Sequence, residues 1–179
     1  HHALESSPLV REKLPIVAEA AGHVGHLAIR NRGTFGGSLA HADPAAEWPM
    51  LALLLEAEMQ ARGPKGTRRI PARDFFVTFL TTALEEDEIL TGVQLPALPA
   101  RTGWGFEELS RRPGDFALAA VSALVTMDGQ TCKEARISMA GVGPHAVRAE
   151  EAESFLRGKR LEADVLKEAG AKAAEASDP

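Results

Sequence analysis

The sequence has 179 residues, of which 45% are hydrophobic and 25% charged, an ordinary composition for a globular protein. Its formal net charge of −5 argues against an extended basic surface for nucleic acid. The single cysteine, Cys132, excludes an internal disulfide and has no metal-ligand spacing around it, which favours a reducing compartment, the cytoplasm. No apolar run approaches the roughly 20 residues of a membrane span, and no signal-peptide pattern begins the chain.

The first half of the sequence predicts a mixture of helices and strands. An Ala-rich apolar stretch predicts a helix over residues 15–25, and Asp43 followed by Pro44 predicts the start of another. In that second helix the apolar residues recur at helical spacing as one stripe, formed by Trp48, Leu51, Leu54 and Leu55. Two short strands are predicted about the turn at 63–66, and a third strand over 88–96.

The second half follows a Pro/Ala-rich linker at residues 95–101. Residues 103–110 alternate as in a strand, and residues 116–143 predict a hairpin that turns at Asp128-Gly129. Two helices are predicted after it, over 146–156 and 163–176. We therefore predict an α+β fold that divides near residue 100, with one domain at 1–100 and a smaller one at 101–179.

A glycine-rich segment, GTFGGS at residues 33–38, is the most distinctive local pattern. Closely spaced glycines allow a backbone bend whose N–H groups face an anion, and the absence of Cβ atoms lets a ligand touch the main chain. The spacing matches neither the P-loop nor the dinucleotide-binding fingerprint. Spacing alone leaves two interpretations open, a ligand-binding loop and a plain structural turn.

The charged residues near this segment also allow more than one interpretation. An N-cap role explains Asp43, whereas Glu47 either complements the helix dipole at the surface or points towards a ligand. A turn at Pro113-Gly114 carries Arg111 and Asp115, which either make local contacts or face the glycine-rich segment. No nucleophile–base pair and no paired carboxylates are evident, so we assign no catalytic residue and no metal ligand.

Four stretches together resemble a known family. IRNRGTFGGSLAHADPAAEWP resembles the second FAD-binding motif of the flavin-carrying medium subunit of molybdenum hydroxylases, the xanthine dehydrogenase and carbon monoxide dehydrogenase family. EILTGVQLP and FEELSRRPGDFALAAVSALV resemble the same subunit in the same order, and ARISMAGVGPHAVRAEEAESFLRGK is similar to its C-terminal domain. The resemblance implies a PCMH-type FAD-binding domain followed by a small domain with a short antiparallel sheet and packed helices.

In that family the medium subunit transfers electrons. Substrate is oxidised at a molybdenum cofactor on a large subunit, [2Fe-2S] clusters on a small subunit carry the electrons to FAD, and FAD reduces NAD⁺, a quinone or another acceptor. By position, the resemblance assigns the pyrophosphate region to the glycine-rich segment, namely Gly33, Thr34, Phe35, Gly36, Gly37 and Ser38. It assigns further FAD contacts to Asp43, Glu47, Leu90 and Glu107, and the approach to the flavin ring to the turn with Arg111 and Asp115.

The sequence departs from the family pattern at one point. No Ala-Gly-Gly-type loop, which grips the same pyrophosphate in the family, precedes residue 33. We therefore expect a fragment without its N-terminal subdomain that holds FAD weakly or not at all. Two alternatives remain, a cofactor-free assembly or interaction module and a stand-alone enzyme that binds a phosphoanion.

Overall fold

A computed structural model describes residues 1–178 as a mixed helix and sheet structure, which confirms the α+β prediction. The helices in chain order are α1 (His2–Ser6), α2 (Pro8–Lys13), α3 (Pro15–His23), α4 (Leu27–Arg30), α5 (Phe35–His41), α6 (Glu47–Leu54), α7 (Ala72–Phe75), α8 (Glu150–Leu156) and α9 (Ala163–Glu175). The strands are β1 (Glu58–Gly63), β2 (Gly66–Pro71), β3 (Phe76–Thr78), β4 (Thr81–Thr82), β5 (Ile89–Gln94), β6 (Thr102–Ser110), β7 (Ala117–Asp128), β8 (Thr131–Ala140) and β9 (Val147–Arg148).

Three antiparallel sheets organise the strands. The first has the order β2-β1-β5, the second is the short β3-β4 hairpin, and the third has the order β6-β7-β8-β9. The β7–β8 hairpin turns at Asp128-Gly129 as the sequence predicts, with Asp128 paired to Thr131. Gly129 has a φ of 60°, the left-handed conformation that such turns need.

The helix α6 begins later than the sequence predicts. It starts at Glu47, with Ala46 at the N-cap position, so the assignment of Asp43 as the N-cap was wrong. Pro49 explains the difference, because proline is tolerated in the first turn of a helix but removes a hydrogen bond in its interior. A helix starting at Pro44 would have placed Pro49 in that interior.

The predicted single apolar stripe on α6 was also wrong, because every residue of the helix is buried. It packs against α3 and α5 on one side and against β7 and β8 on another. A helix that is apolar on all sides is typical of a protein interior. The polar exception is Glu47, the first residue of the helix.

Two hydrophobic cores hold the structure together. The larger core joins residues of α3, α6 and β1 to Ala117, Ala120 and Leu124 of β7, so it extends across residue 100. The smaller core lies between β8 and the helices α8 and α9, with Cys132, Ile137 and Leu156 among its buried members.

Polar contacts also join the two halves at both ends of α6. Near its start, the amide of Gly141 donates to the carbonyl oxygen of Pro44 at 2.9 Å. At its end, Arg148 Nη1 donates to the carbonyl oxygen of Leu53 at 3.2 Å. The same arginine forms a two-point ion pair with Glu153, at 2.6 and 2.8 Å.

Other elements differ in detail from the sequence prediction. The predicted helix at 146–156 begins at Glu150, because Val147 and Arg148 pair with β8 as strand β9. The second predicted strand of the first half ends at Pro71 and gives way to α7. The helices α1, α2 and α4 were not predicted. In residues 1–178 no helix combines the length and the apolar character that crossing a membrane requires.

Candidate functional site

The glycine-rich segment forms the first turn of helix α5, rather than the open bend or plain turn that the sequence suggested. Thr34 is the N-cap, and its Oγ1 accepts a hydrogen bond from the amide of Gly37 at 3.0 Å. The carbonyl oxygen of Thr34 accepts from the amide of Ser38 at 3.1 Å. Within residues 1–178 the amides of Phe35 and Gly36 have no acceptor, as is usual for the first N–H groups of a helix.

A cavity of about 470 Å³ lies beside this turn. Its walls come from the loop after α3, from α5, from the start of α6 and from the turn before β7. Seven of the predicted site residues line it, namely Gly33, Thr34, Gly37, Ser38, Asp43, Glu47 and Asp115. The structure thus brings together residues from 33 to 115 that the sequence could only associate by resemblance.

Gly37 approaches its neighbours closely enough to exclude a side chain. A Cβ atom at this position would lie 2.6 Å from Thr34 Oγ1, the atom that caps the helix. Any larger residue therefore has to displace the capping hydroxyl. The glycine serves the helix turn and also keeps that wall of the cavity open.

Asp43 forms a turn before α6 instead of capping it. Its Oδ1 accepts a hydrogen bond from the amide of Ala45 at 2.9 Å, the two-residue spacing of an Asx-turn. This turn lies at the cavity wall and leads the chain into Glu47. Its role is to direct the start of α6.

Glu47 is the most unusual residue of the cavity. The residue is 7% exposed, which excludes the first of its two interpretations, an exposed first-turn acid. No basic side chain in residues 1–178 pairs with it. Burial raises the pKa of Glu47 to about 7, its own backbone N–H opposes this, and the charges of Glu108 and Asp43 raise it further.

Glu108 adds a second buried carboxyl oxygen next to this site. Its Oε2 has no hydrogen-bond partner and no exposure, and burial raises the pKa of Glu108 while His23 acts against the shift. His23 packs against Phe106 with the two rings tilted by 51° and their centroids 4.8 Å apart, so α3 covers the face of β6 that carries Phe106 and Glu108. The sequence analysis selected Glu107 instead of Glu108.

The turn between β6 and β7 reaches the other side of the cavity. Gly114 has a φ of 86°, and a Cβ atom there would lie 2.6 Å from the ring of His26. Only glycine lets this turn lie so close to the loop after α3. Asp115 and Phe116 consequently line the cavity, whereas Arg111 is exposed and does not.

Four further predicted residues lie outside the cavity wall. Phe35 packs edge-on against Trp48 at a centroid distance of 5.0 Å, and Gly36 lies against Leu90, which belongs to the margin of the larger core. Glu107 is exposed on the face of β6 opposite to Glu108, since strand side chains alternate. Leu90 supports α5 from behind by packing near Gly36.

The sequence analysis missed several residues that line the cavity, Arg32, His41 and Phe116. Arg32 directly precedes the glycine-rich segment. His41 follows Gly37 by four residues, so the two lie on one face of α5 once that segment is known to be helical. Helical spacing would therefore have identified His41.

These features match a known family. Residues 1–98 match the model described as the FAD-binding domain in molybdopterin dehydrogenase, and residues 104–179 match the C-terminal domain of carbon monoxide dehydrogenase flavoprotein. The chain belongs to the family of FAD-binding domains of molybdopterin dehydrogenases, as the resemblance predicted.

Individual relatives agree with this assignment. The chain is 40% identical over its whole length to the 6-hydroxypseudooxynicotine dehydrogenase complex subunit alpha of Paenarthrobacter nicotinovorans, of which it covers 61%. It is 39% identical over 93% of its length to the carbon monoxide dehydrogenase medium chain of Hydrogenophaga pseudoflava, covering 58% of that protein. The chain therefore spans about three fifths of the length of these relatives.

Solved structures show the same fold. A carbon monoxide dehydrogenase from Hydrogenophaga pseudoflava, which lacks the Mo-pyranopterin moiety of its molybdenum cofactor, superposes with a TM-score of 0.96 at 40% identity. The match covers 99% of this chain and 62% of the other. Quinoline 2-oxidoreductase from Pseudomonas putida 86 superposes with a TM-score of 0.94, also at 40% identity, over 100% of this chain and 62% of that one.

Proposed function

We propose that this chain forms the FAD-binding part of the medium subunit of a molybdenum hydroxylase. In the complete enzyme, electrons from substrate oxidation on a molybdenum-cofactor subunit would arrive through a [2Fe-2S] subunit, and NAD⁺ or a quinone-type acceptor would take them up. The observation that carries the proposal is the cavity, because residues of the family motif line it together with the turn from the second half.

The cavity fits a part of FAD. Its volume of about 470 Å³ lies within the range of about 300–1,000 Å³ for small-molecule sites. The amides of Phe35 and Gly36 and the hydroxyl of Ser38 are donors near Gly37, where the main chain is open to a ligand. Arg32 and His41 add positive or ionisable groups at the same wall.

Different residues of the cavity have different roles in this proposal. Gly33, Thr34, Gly37 and Ser38 surround the diphosphate, with Phe35 and Gly36 contributing main-chain N–H groups. Asp43 and Glu47 lie beside the cofactor, and the turn with Arg111 and Asp115 approaches the flavin. Bound FAD supplies the electron-transfer chemistry, whose potential nearby protein charges adjust.

The two family models meet between residues 98 and 104, which supports a division into domains at 1–100 and 101–179. The larger core nevertheless crosses this boundary, so the two parts would fold together. Both contribute to the cavity, which is why we assign the cofactor site to the pair of domains.

An exposed sheet face supports the second candidate, a cofactor-free interaction module of such a complex. Leu109 of β6 is 64% exposed, and Val121 of β7, which pairs with Glu107 on the same face, is 36% exposed. A partner subunit would cover such a surface. This role is compatible with FAD binding elsewhere on the chain.

Titration with FAD, followed by quenching of flavin fluorescence, tests the proposal. The resemblance implies a second phosphate-binding loop in the N-terminal subdomain, so this chain should bind weakly and a version extended upstream much more tightly. Two or three charge-assisted hydrogen bonds of about 1.5–3 kcal/mol each would account for the difference. An extended version that does not take up FAD would contradict the proposal and favour the interaction module.

Substitution of Gly37 tests the site itself. Gly37→Val places a branched side chain against the capping hydroxyl and into the cavity wall, so FAD binding should be lost. Thr34→Ala is the matched control, because it removes the same cap without filling space. If both variants lose FAD equally, the glycine serves only the helix turn. ADP titrated in parallel identifies a phosphoanion enzyme, which would prefer the smaller ligand.

A further inference from the structure

Glu47 forms no ion pair with any basic side chain of residues 1–178. The residue is 7% exposed, it lines the cavity, and no side chain in the described part of the chain donates to its carboxyl group. Such groups are uncommon in native proteins and are typical of functional sites. We propose that Glu47 carries a proton whenever an anionic diphosphate diester occupies the cavity, so that cofactor binding takes up a proton near neutral pH.

This inference rests on the proposed function, and it goes beyond it by making the cavity's affinity dependent on pH. A protonated carboxyl can also donate a hydrogen bond, which an ionised one cannot. Glu47 would therefore turn from a repulsive group into a donor for the incoming ligand. The pH dependence of the cavity's affinity would thus come from one buried side chain.

The charged groups around Glu47 favour its neutral form. Asp43 faces it from the turn before α6, and Glu108 faces it from β6. Across the cavity lie Asp115 on the turn before β7 and the cationic or ionisable groups Arg32, His41 and His1. None of these three forms an ion pair with Glu47.

Other cations packed around α6 lie at its far end. Arg136 and Arg148 contact Glu56, at 3.2 and 3.8 Å, beyond the last residue of the helix. The first turn of α6 favours an ionised Glu47, but burial outweighs it and raises the pKa to about 7. A doubly negative diphosphate entering the same cavity raises that pKa further by like-charge repulsion.

Glu108 contributes to the raised pKa of Glu47. Its charge is among the causes that raise the pKa of Glu47, and its own buried Oε2 has no partner. Glu108→Gln should lower the titration midpoint of Glu47, while Glu107→Gln, a change of the same residue type on the opposite face of the same strand, should leave it unchanged.

The first measurement uses the ligand-free chain. Carboxyl-¹³C NMR of labelled glutamate, with the Glu47 signal assigned through Glu47→Gln, gives the midpoint directly. We expect a midpoint near 7, and a downward shift in Glu108→Gln but not in Glu107→Gln. A midpoint close to that of an ordinary glutamate would overturn the inference whatever the chain binds.

The second measurement follows FAD affinity from pH 6 to 9. FAD suits this test because its diphosphate is a diester that does not titrate in this range. Above the midpoint the affinity of the wild-type chain should fall by up to about tenfold per pH unit, the dependence for uptake of one proton. In Glu47→Gln the affinity should be independent of pH, whereas Asp115→Asn, which removes another carboxylate from the same cavity, should retain the dependence.

The outcomes separate the two ideas. FAD binding that is equally strong at pH 6 and pH 9 overturns the proton uptake and leaves the proposed function in place. Failure to bind FAD at any pH, in this chain and in the extended version, overturns both. A pH dependence that persists in Glu47→Gln assigns the proton to another group and overturns the inference about Glu47.

Discussion

Two regions of the molecule each bury a glutamate, and they treat it in opposite ways. Glu153 in α8 is 8% exposed and Glu47 in α6 is 7% exposed. Glu153 accepts two hydrogen bonds from Arg148 and one from the amide of Ile137 at 2.7 Å. Glu47 has acidic neighbours and no ion-pair partner.

The difference separates a structural carboxylate from one available for chemistry. Partners from β8 and β9 satisfy Glu153, so its charge fixes the position of α8 against the sheet. At Glu47 the surroundings oppose the charge, and the group faces an open cavity instead of a partner. Two equally buried carboxylates can therefore have different roles, and the contacts of each one determine its role.

Removal of Glu153 should have the largest effect on stability. Glu153→Ala removes the two-point partner of the half-buried Arg148 and leaves the buried amide of Ile137 without its acceptor, so we expect a loss of about 3 kcal/mol. Urea denaturation measures it. Glu151→Ala, the same change at an exposed position of the same helix, should cost less than about 1 kcal/mol. Equal losses in the two variants would contradict a specific role for the ion pair.

Glu47→Gln should instead stabilise the protein, and only at higher pH. The pKa of Glu47 is about 7 in the folded protein, above its ordinary value of 4.5, so the folded state binds the proton more tightly. The stabilisation that the folded protein gains from this proton is fully present below about pH 4.5, and it is lost as the pH rises through about 7. By linkage, the stability advantage of Glu47→Gln should grow by about 3 kcal/mol between pH 4 and pH 8.

Urea denaturation of Glu47→Gln and wild type across this pH range measures the advantage. Glu107→Gln provides the control, since Glu107 is exposed and its substitution should shift stability equally at every pH. An advantage of Glu47→Gln that does not change with pH would mean that Glu47 is ionised in the folded protein.

Loss of the cap on α5 should have an intermediate effect. Thr34→Ala removes the acceptor for the Gly37 amide, and such substitutions cost about 1 kcal/mol. Thr34→Ser retains the hydroxyl and should restore most of the stability. A thermal denaturation series of the three proteins measures both, and identical melting temperatures for Ala and Ser would contradict a capping role.

The smallest effect is expected at Glu107, the glutamate that is neither buried nor placed at the cavity. Glu107→Ala should change stability by less than about 0.5 kcal/mol at any pH. Urea denaturation at pH 5 and pH 8 tests this. A larger loss would show that the outer face of β6 contributes to folding.

Local patterns predicted much of the fold. The Asp128-Gly129 turn, the alternation along β6 and the Ala-rich stretches of α3 and α9 each specify their element within a few residues. Positions that depend on tertiary packing were less predictable. The start of α6 was wrong because the cap preference of Asp43 competes with the constraint that Pro49 imposes on the helix.

The candidate site shows the same limit. The glycine-rich segment and Asp115 could be associated by resemblance, but strand alternation alone leaves open which face of β6 turns inwards. The contact between His23 and Phe106 shows that the face with Glu108 packs against α3, whereas Glu107 lies on the exposed face. The burial of Glu47 likewise follows from packing around α6, which local sequence does not encode.

The hydrogen bond between Gly141 and Pro44 fastens the second half of the chain next to the turn that leads into Glu47. Together with the shared core, it holds the two halves in place by contacts that do not involve the link at residues 95–101, so we expect that link to be dispensable for their association. Cleavage within that link would leave two fragments that associate noncovalently. The cavity would then exist only in the associated pair, and its occupancy would depend on the concentration of both fragments.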